Sequence, residues 1–264
     1  MQERGSVLWK RVEVVGDIAI VGVPFNADEE ELRRFAEEMM RRTGVRAVWG
    51  KKRDTSGDFR LPTYVHLAGE RRSETLYREH SCVYFLDITK VFFSSKLSYE
   101  HRRIAKMVRR GEVVVNMFAG FGPFSILSFK LGQPKVVYSI DINPYAYYYM
   151  IVNIELNKTY GVIPMYGDAF RRLKELGVVD RIISPLPERG KEVYCEAMEH
   201  LRSGGYLHLF VEIKVERGED PLERALREYP AEGGRVVRSV NPSTYHVVLD
   251  IRKGESVSPY KSVC

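Results

Sequence analysis

Cysteine is scarce in this 264-residue chain. Cys82, Cys195 and Cys264 lie far apart, and no two form a C-x-x-C pair. That spacing argues against a zinc cluster or a disulfide framework, so free thiols in a reducing, cytoplasmic interior are expected and no metal is. Long apolar runs are missing too. None approaches the roughly 20 residues needed to cross a bilayer, and the N-terminus, MQERGSVLWKRVEVV, lacks the apolar stretch of a signal peptide. No membrane partner is therefore expected. Glutamine is nearly absent (Gln2 and Gln133), while Arg and Glu abound, a mild mark of a hot habitat. There is no internal repeat and no low-complexity segment.

What the chain does have is charge. Charged residues make up 29%, with a net +6 and a pI near 9.1. The charges of residues 1–89 cancel, so the whole excess lies beyond Thr89. Within the balanced part, Arg41, Arg42, Arg46, Lys51, Lys52, Arg53 and Arg60 cluster against only Asp54 and Asp58. Such a patch suits a polyanion such as nucleic acid, or a solvated surface.

Two units are expected. Residues 1–89 read as a small α+β domain: a strand pair over RVEVVGDIAIVGV, a helix running to Gly44, and strands near 47–50, 64–68 and 82–87. Residues 90–253 alternate strand and helix as a doubly wound α/β fold does. Its seven strands are read at 113–116, 136–140, 163–166, 181–184, 206–210, 235–240 and 245–251, with RGKEVYCEAMEHLRSGG among the helices. Only Asn241-Pro-Ser joins the last two strands, too short for a parallel crossover, so they form an antiparallel hairpin at the end of a mostly parallel sheet. Residues 254–264 read as a mobile tail.

The stretch Gly111–Phe124, GEVVVNMFAGFGPF, is the centre of the larger unit. A β-branched run opens through Gly120 and Gly122 onto a helix N-terminus, which sets bare backbone and N–H groups beside a ligand. Ser125 stands where a dinucleotide fingerprint would carry its third glycine, and no Lys-Ser or Lys-Thr makes it a phosphate loop. Asp141 ends the next strand, where an acid can accept both hydroxyls of a ribose, or cap a helix. Asp168 ends the third and can meet an adenine amine or, again, cap a helix. Ser184-Pro185-Leu186-Pro187 follows the fourth strand, at the rim where such folds hold substrates. Proline there fixes the backbone and leaves carbonyls to accept. Glu100, in a first helical turn beside His101 and Arg102, reads on its own as an exposed ion-paired carboxylate. Arg60 reads equally as a phosphate contact. The tyrosines at 145 and 147–149 read as helix packing with a wet edge.

In order, KVFFSSKLSYEHRRIAK, FAGFGPFSI, IDINPYA, YGDAF and DRIISPLP resemble the archaeal and eukaryotic tRNA (guanine-37-N1)-methyltransferases and their wyosine-biosynthesis relatives, from about Val12 to Arg252. The resemblance implies a small RNA-positioning domain before a class I (Rossmann-like) methyltransferase domain. It implies S-adenosylmethionine as donor and guanosine 37 of tRNA as acceptor, in a monomeric enzyme. Phe118, Ala119, Gly120, Gly122 and Pro123 match the family's cofactor loop, and Asp141 its ribose acid. Asp168 matches the acid near the adenine, with Ile142, Ala169 and Ser184 completing the implied contacts. Glu100 matches a glutamate that takes the proton from guanine N1, and Arg60 an arginine near O6. A base and a cation so placed would each help that reaction. Pro185 and Pro187 fall in the catalytic motif. Phe92 or Phe93 is expected to stack on the base, with Lys52, Arg53, His101 and Arg102 touching RNA.

Three departures stand out. Asn116 occupies a place that is usually acidic. The family's Asn-Leu-Pro or Asn-Pro-Pro motif has lost its Asn, leaving Pro185-Leu186-Pro187, which opens methylation of carbon 7 of the tricyclic precursor 4-demethylwyosine as the alternative to N1. The further N-terminal domain of many archaeal members is expected to be missing. A methyltransferase fold kept only for binding, or one acting on a small molecule, are the readings from other classes.

Overall fold

A computed structural model describes residues 12–24, 27–56, 61–254 and 263–264, the side chains of 53–56 excepted. Arg60, the Arg53 side chain and residues 255–262 of the tail lie outside the described residues. The chain divides into two units, Met1–Ser95 and Lys96–Cys264.

In the first unit, alternating apolar residues make β1 (Val12–Val15) and β2 (Ile18–Gly22) an antiparallel pair. Helix α1 (Glu29–Thr43) starts at Asp28, whose carboxylate accepts from the Glu31 N–H at 2.9 Å, and stops at Gly44. It returns the chain to β3 (Ala47–Ser56), parallel to β2, and β4 (Leu61–Gly69) completes the sheet in the order β1-β2-β3-β4. Leu32 and Ala36 of α1 bury against Ala19, Val21 and Val48. A separate hairpin joins β5 (Glu74–Glu79) and β6 (Cys82–Asp87) through His80 and Ser81. Both have positive φ, as a two-residue hairpin turn of this twist requires. β5 was not expected from the sequence, because it has no inward apolar run: Thr75 and Glu79 turn inward while Leu76 is exposed.

The second unit opens with α2 (Ser98–Met107) and then alternates β7 (Val113–Asn116), α3 (Pro123–Gly132), β8 (Val136–Asp141), α4 (Pro144–Asn157), β9 (Val162–Tyr166), α5 (Ala169–Leu176), β10 (Val179–Ser184), α6 (Gly190–His200) and β11 (Leu201–Lys214). After α7 (Pro221–Glu228) come β12 (Gly233–Asn241) and β13 (Thr244–Arg252). The sheet order is β12-β13-β11-β10-β7-β8-β9. β9, β8, β7, β10 and β11 are parallel, and β13 and β12 are antiparallel. All seven expected strands are present. Residues Leu201–Gly205, read as the end of a helix, belong to β11 instead. Leu201 pairs with Val179, and a register shift before Arg181 absorbs the irregular Arg202–Gly205 segment.

The order reverses between β7 and β10, so a crevice opens at the C-terminal ends of these two strands. On one face of the sheet, Leu207, Leu209, Val247 and Leu249 pack with Leu173 of α5, Val193 and Ala197 of α6 and Ala225 of α7. On the other, Phe124 of α3 lies edge-to-face between His101, at 4.4 Å, and Phe210, at 5.8 Å.

The cysteine expectation is corrected. Cys195 of α6 and Cys264 form a disulfide across 69 residues, and Val263 packs against the core, so the chain's last two residues are fastened. Wide spacing in sequence concealed that α6 and the C-terminus meet. Cys82 is free and buried. Among the described residues, no helix is long and apolar enough to cross a membrane.

Candidate active site

The glycine loop hangs between two strands. Beyond β7, the Met117 N–H donates to Ile183 of β10 at 2.9 Å and the Ala119 N–H to Ile140 of β8 at 2.8 Å, which carries the loop across the switch point. Phe118, Gly120 and Gly122 all have positive φ. A Cβ on Gly122 would crowd Ile126 and Met150 at 3.2 and 3.3 Å, so this glycine answers to packing. A Cβ on Gly120 would meet nothing within 4 Å. Its bare backbone faces open space. Pro123, buried, is the first residue of α3, where its missing N–H costs nothing.

Asp141 locks this loop to the next element. Its Oδ2 accepts from the Gly120 N–H at 2.7 Å and its Oδ1 from the Asn143 N–H at 2.8 Å. Burial pushes its carboxyl above the ordinary range, outweighing those bonds. The cap of α4 is Asn143, not Asp141. Asp168 does cap its helix, accepting from the Arg171 N–H at 3.0 Å, and buried Ala169 follows it. Ile142 is exposed beside Asp141, and Phe118 packs its ring on Phe170 at 6.0 Å.

Under the loop lies a small polar pocket in an apolar sheet. Asn116 is fully buried and donates from Nδ2 to Ser125 Oγ at 2.8 Å, while Ser139 donates to the same oxygen at 2.6 Å. Asn116 Oδ1 and Ser184 Oγ, both buried, have no hydrogen-bond partner. Asn116 is registered with Ile183, so the two orphaned oxygens belong to adjacent strand ends. A buried acceptor without a donor costs free energy, and a ligand carrying N–H or O–H groups relieves it. Open space at Gly120, a carboxylate at Asp141 and unsatisfied oxygens at strand ends together fit a nucleoside cofactor with a polar tail. Past Ser184, Pro185 and Leu186 leave the sheet and Pro187 opens a single 3-10 turn.

Glu100 is not the exposed carboxylate that its neighbours suggest. It is 1% exposed, because α2 turns Glu100, His101, Ile104 and Ala105 inward. Oε2 accepts from Arg103 Nε at 2.6 Å, and Arg235 Nη1 lies 3.2 Å from Oε1. Behind Arg103 runs a chain of charges that no sequence motif marks. Arg103 donates to Asp250 at 2.6 Å, and His208 Nδ1 lies 2.6 Å from Asp250. Arg181 Nη1 lies 2.7 Å from His208 Nε2, and Arg181 forks onto both oxygens of Glu112 at 2.8 and 2.9 Å. Arg181 can only donate, so Nε2 accepts and Nδ1–H donates to Asp250. His208 is thus neutral, and burial lowers its pKa in agreement. Although burial opposes ionisation, the His208 and Arg103 bonds hold the Asp250 carboxyl at about 2.

Of the residues expected to touch RNA, Phe93 is buried, edge-on to Tyr77 at 4.9 Å, and His101 is buried against Phe124. Phe92, Lys52 and Arg102 are exposed. Sequence reasoning missed Ser125, Ser139 and the whole Arg103–Glu112 chain. Only Ser125 left a trace, as the residue in the third-glycine position.

Residues 75–232 match the TRM5/TYW2 methyltransferase domain and residues 2–72 the TYW2 N-terminal domain. The chain is 59% identical to the tRNA 4-demethylwyosine(37)-methyltransferase Taw21 of Saccharolobus solfataricus, over 93% of this chain and 94% of that one. It is 35% identical to the tRNA (guanine(37)-N(1))-methyltransferase Trm5b of Pyrococcus abyssi, over 95% and 77%. Among solved structures, aTrm5 in complex with tRNALeu superposes with a TM-score of 0.83 at 32% identity, over 94% of this chain and 73% of that one. The TYW2 of M. jannaschii in complex with AdoMet gives 0.65 at 26%, over 91% and 97%. The glycine loop, the acids after successive strands and the sheet that carries them thus have one explanation: the chain belongs to the TRM5/TYW2 methyltransferase family.

Proposed function

We propose that this protein methylates carbon 7 of 4-demethylwyosine at position 37 of tRNA. The family uses S-adenosylmethionine, and relatives at 59% and 35% identity are named tRNA methyltransferases; the acceptor atom is the proposal. Identity of 59%, spread over nearly the full length of both chains, to a methyltransferase named for that substrate carries it. Pro185 supports it. In 4-demethylwyosine, N1 and the exocyclic nitrogen are built into a third ring, so N1 no longer has a proton to donate. An amide placed to read the guanine edge loses its purpose there, and a proline leaves no amide unpaired.

The donor supplies a methyl group on a sulfonium. Gly120 leaves room for the nucleoside, Asp141 would accept from the ribose hydroxyls, and Asp168 and Ile142 would lie beside the adenine. Phe118, Ala119, Gly122 and Pro123 shape the loop, with Ala169 behind it. Asn116 Oδ1 and Ser184 Oγ accept from the polar tail. Bound there, the donor would supply an electrophilic methyl group to carbon 7, and the Glu100 carboxylate would take the proton that carbon 7 gives up. Pro185 and Pro187 hold the rim of the acceptor pocket rigid. Phe92, Lys52, Arg53, Arg60 and Arg102 contact the RNA.

The second reading, methylation of guanosine-37 at N1, has the 35% identity to Trm5b in its favour. Nucleoside mass spectrometry after incubation with two tRNAs, one bearing guanosine and one bearing 4-demethylwyosine at position 37, separates them. A methyl group gained by the tricycle alone is expected. Methylguanosine as the sole product would overturn the proposal, as would gain of an aminocarboxypropyl group. Glu100→Gln should leave cofactor binding intact and slow transfer about a hundredfold or more.

A further inference from the structure

Seven charged or polar side chains form one chain from the residue before β7, across β10, β11 and β13, to the edge strand β12: Glu112, Arg181, neutral His208, Asp250, Arg103, Glu100 and Arg235. Strand register shows that the chain climbs the sheet. Arg181 is level with Tyr206; His208 pairs with Asp250; Arg235 pairs with Val248, which is level with Phe210, one step nearer the C-terminal edge of β11. Arg181 and Glu112 are 1% and 9% exposed, whereas Arg235 at the other end is 40% exposed and lies over the Tyr99 ring at 4.0 Å. One end is anchored in the core, and the other reaches solvent at Arg235, with Glu100 buried just behind it.

Core stability does not require this arrangement, since buried ion pairs are commonly matched or bettered by apolar packing. What the chain does supply is a fixed orientation and a fixed charge for one carboxylate. Arg103 faces Glu100 from its own helix and Arg235 from β12. Asp250 of β13 and His208 of β11 stand behind Arg103, and His101 turns away onto Phe124. Arg235 sits on the edge strand, paired on one side only. It is the one link that can be altered without opening the core.

We propose that Arg235, backed by the Arg103–Asp250–His208–Arg181–Glu112 chain, is a positioning residue that holds Glu100 ionised and aimed at the acceptor's departing proton. This rests on the reading of Glu100 as proton acceptor. A cation beside a carboxylate favours its charged form, so removing the cation is expected to move the acid limb of methyl transfer upward.

The test is the pH dependence of single-turnover methyl transfer by the whole protein on tRNA bearing 4-demethylwyosine, for the wild type, Arg235→Gln, Arg235→Lys and Glu100→Gln. In Arg235→Gln, the acid limb should move up by about one pH unit, and the plateau rate should fall about tenfold. Arg235→Lys should restore most of the shift, and S-adenosylmethionine affinity by calorimetry should be unchanged in both, which also reports that they are folded. An acid limb in Arg235→Gln identical to the wild type overturns the proposal, whatever the plateau does, and so does a lysine variant no better than the glutamine one. If Glu100→Gln transfers at the wild-type rate, the role of Glu100 fails and this inference with it. If Glu100→Gln is inactive while Arg235→Gln keeps its limb, only the positioning role fails.

Discussion

Gly120 and Gly122 share a positive φ and stand two residues apart, yet substitution at each tests something different. At Gly122 a methyl group meets Ile126 and Met150, so the loss would be one of packing. At Gly120 it meets only open space. The backbone strain of alanine at φ +58° costs about 1–2 kcal/mol, which this chain should survive with a Tm a few degrees lower. On the proposed function, however, the cofactor needs that space. Gly120→Ala should therefore fold and lose S-adenosylmethionine binding in calorimetry; unchanged affinity would place the cofactor elsewhere. The positions of the glycine loop, Asp141 and Asp168 at strand ends were legible in the sequence because each closes an apolar run, although Asp168 also serves as a helix cap. Glu100 was visible as a residue but not as a buried one, because its burial depends on Arg103 and Arg235, the second of them 135 positions away. Asn116 was visible as an oddity. Its bond to Ser125 and its orphaned oxygen needed coordinates.

Helix α2 shows what an element adds. Its sequence reads as an amphipathic helix with a polar first turn, and so it is, but part of that polar face is buried against Arg235 of β12 and Asp250 of β13. No local pattern announces a polar chain drawn from five elements and the residue before β7, whereas all seven strands of this sheet announced themselves by apolar runs between turns. The chain has a pH signature. Asp250 titrates at about 2 in the folded protein, against an ordinary 3.8. A carboxyl depressed on folding stabilises above its unfolded value, and that contribution, about 2 kcal/mol, is lost as the pH falls from about 4 towards 2. His208, also depressed, acts in the same direction: the unfolded chain takes up its proton first, so stability falls further below the ordinary histidine range. Wild-type Tm should fall steeply on acidification. Asp250→Asn should be less stable at neutral pH and approach the wild type near pH 2, a flatter curve by calorimetry. Parallel curves would mean that Asp250 is not the group being titrated.

At the scale of the molecule, the architecture followed from sequence rules, while the fastening of its C-terminus did not. A chain with three distant cysteines reads as one with free thiols, because loop length alone cannot say which segments meet. Cys195 lies on α6, which packs on the same face of the sheet as Val263, and that shared apolar face brings Cys264 within reach. Closing a 69-residue loop removes freedom from the unfolded chain and stabilises by about 4 kcal/mol on the chain-entropy account. For a protein of this size, that corresponds to roughly 10 °C in Tm. The bridge joins α6 to Cys264 and involves none of Asn116, Gly120, Asp141 or Glu100, so its loss should lower stability without touching cofactor affinity. Cys264→Ser is the sharper test than Cys195→Ser, because Cys195 also packs against the core. A reductant should lower the wild-type Tm to that of Cys264→Ser and leave the variant unchanged. If the two melt alike without reductant, the bridge contributes nothing in solution.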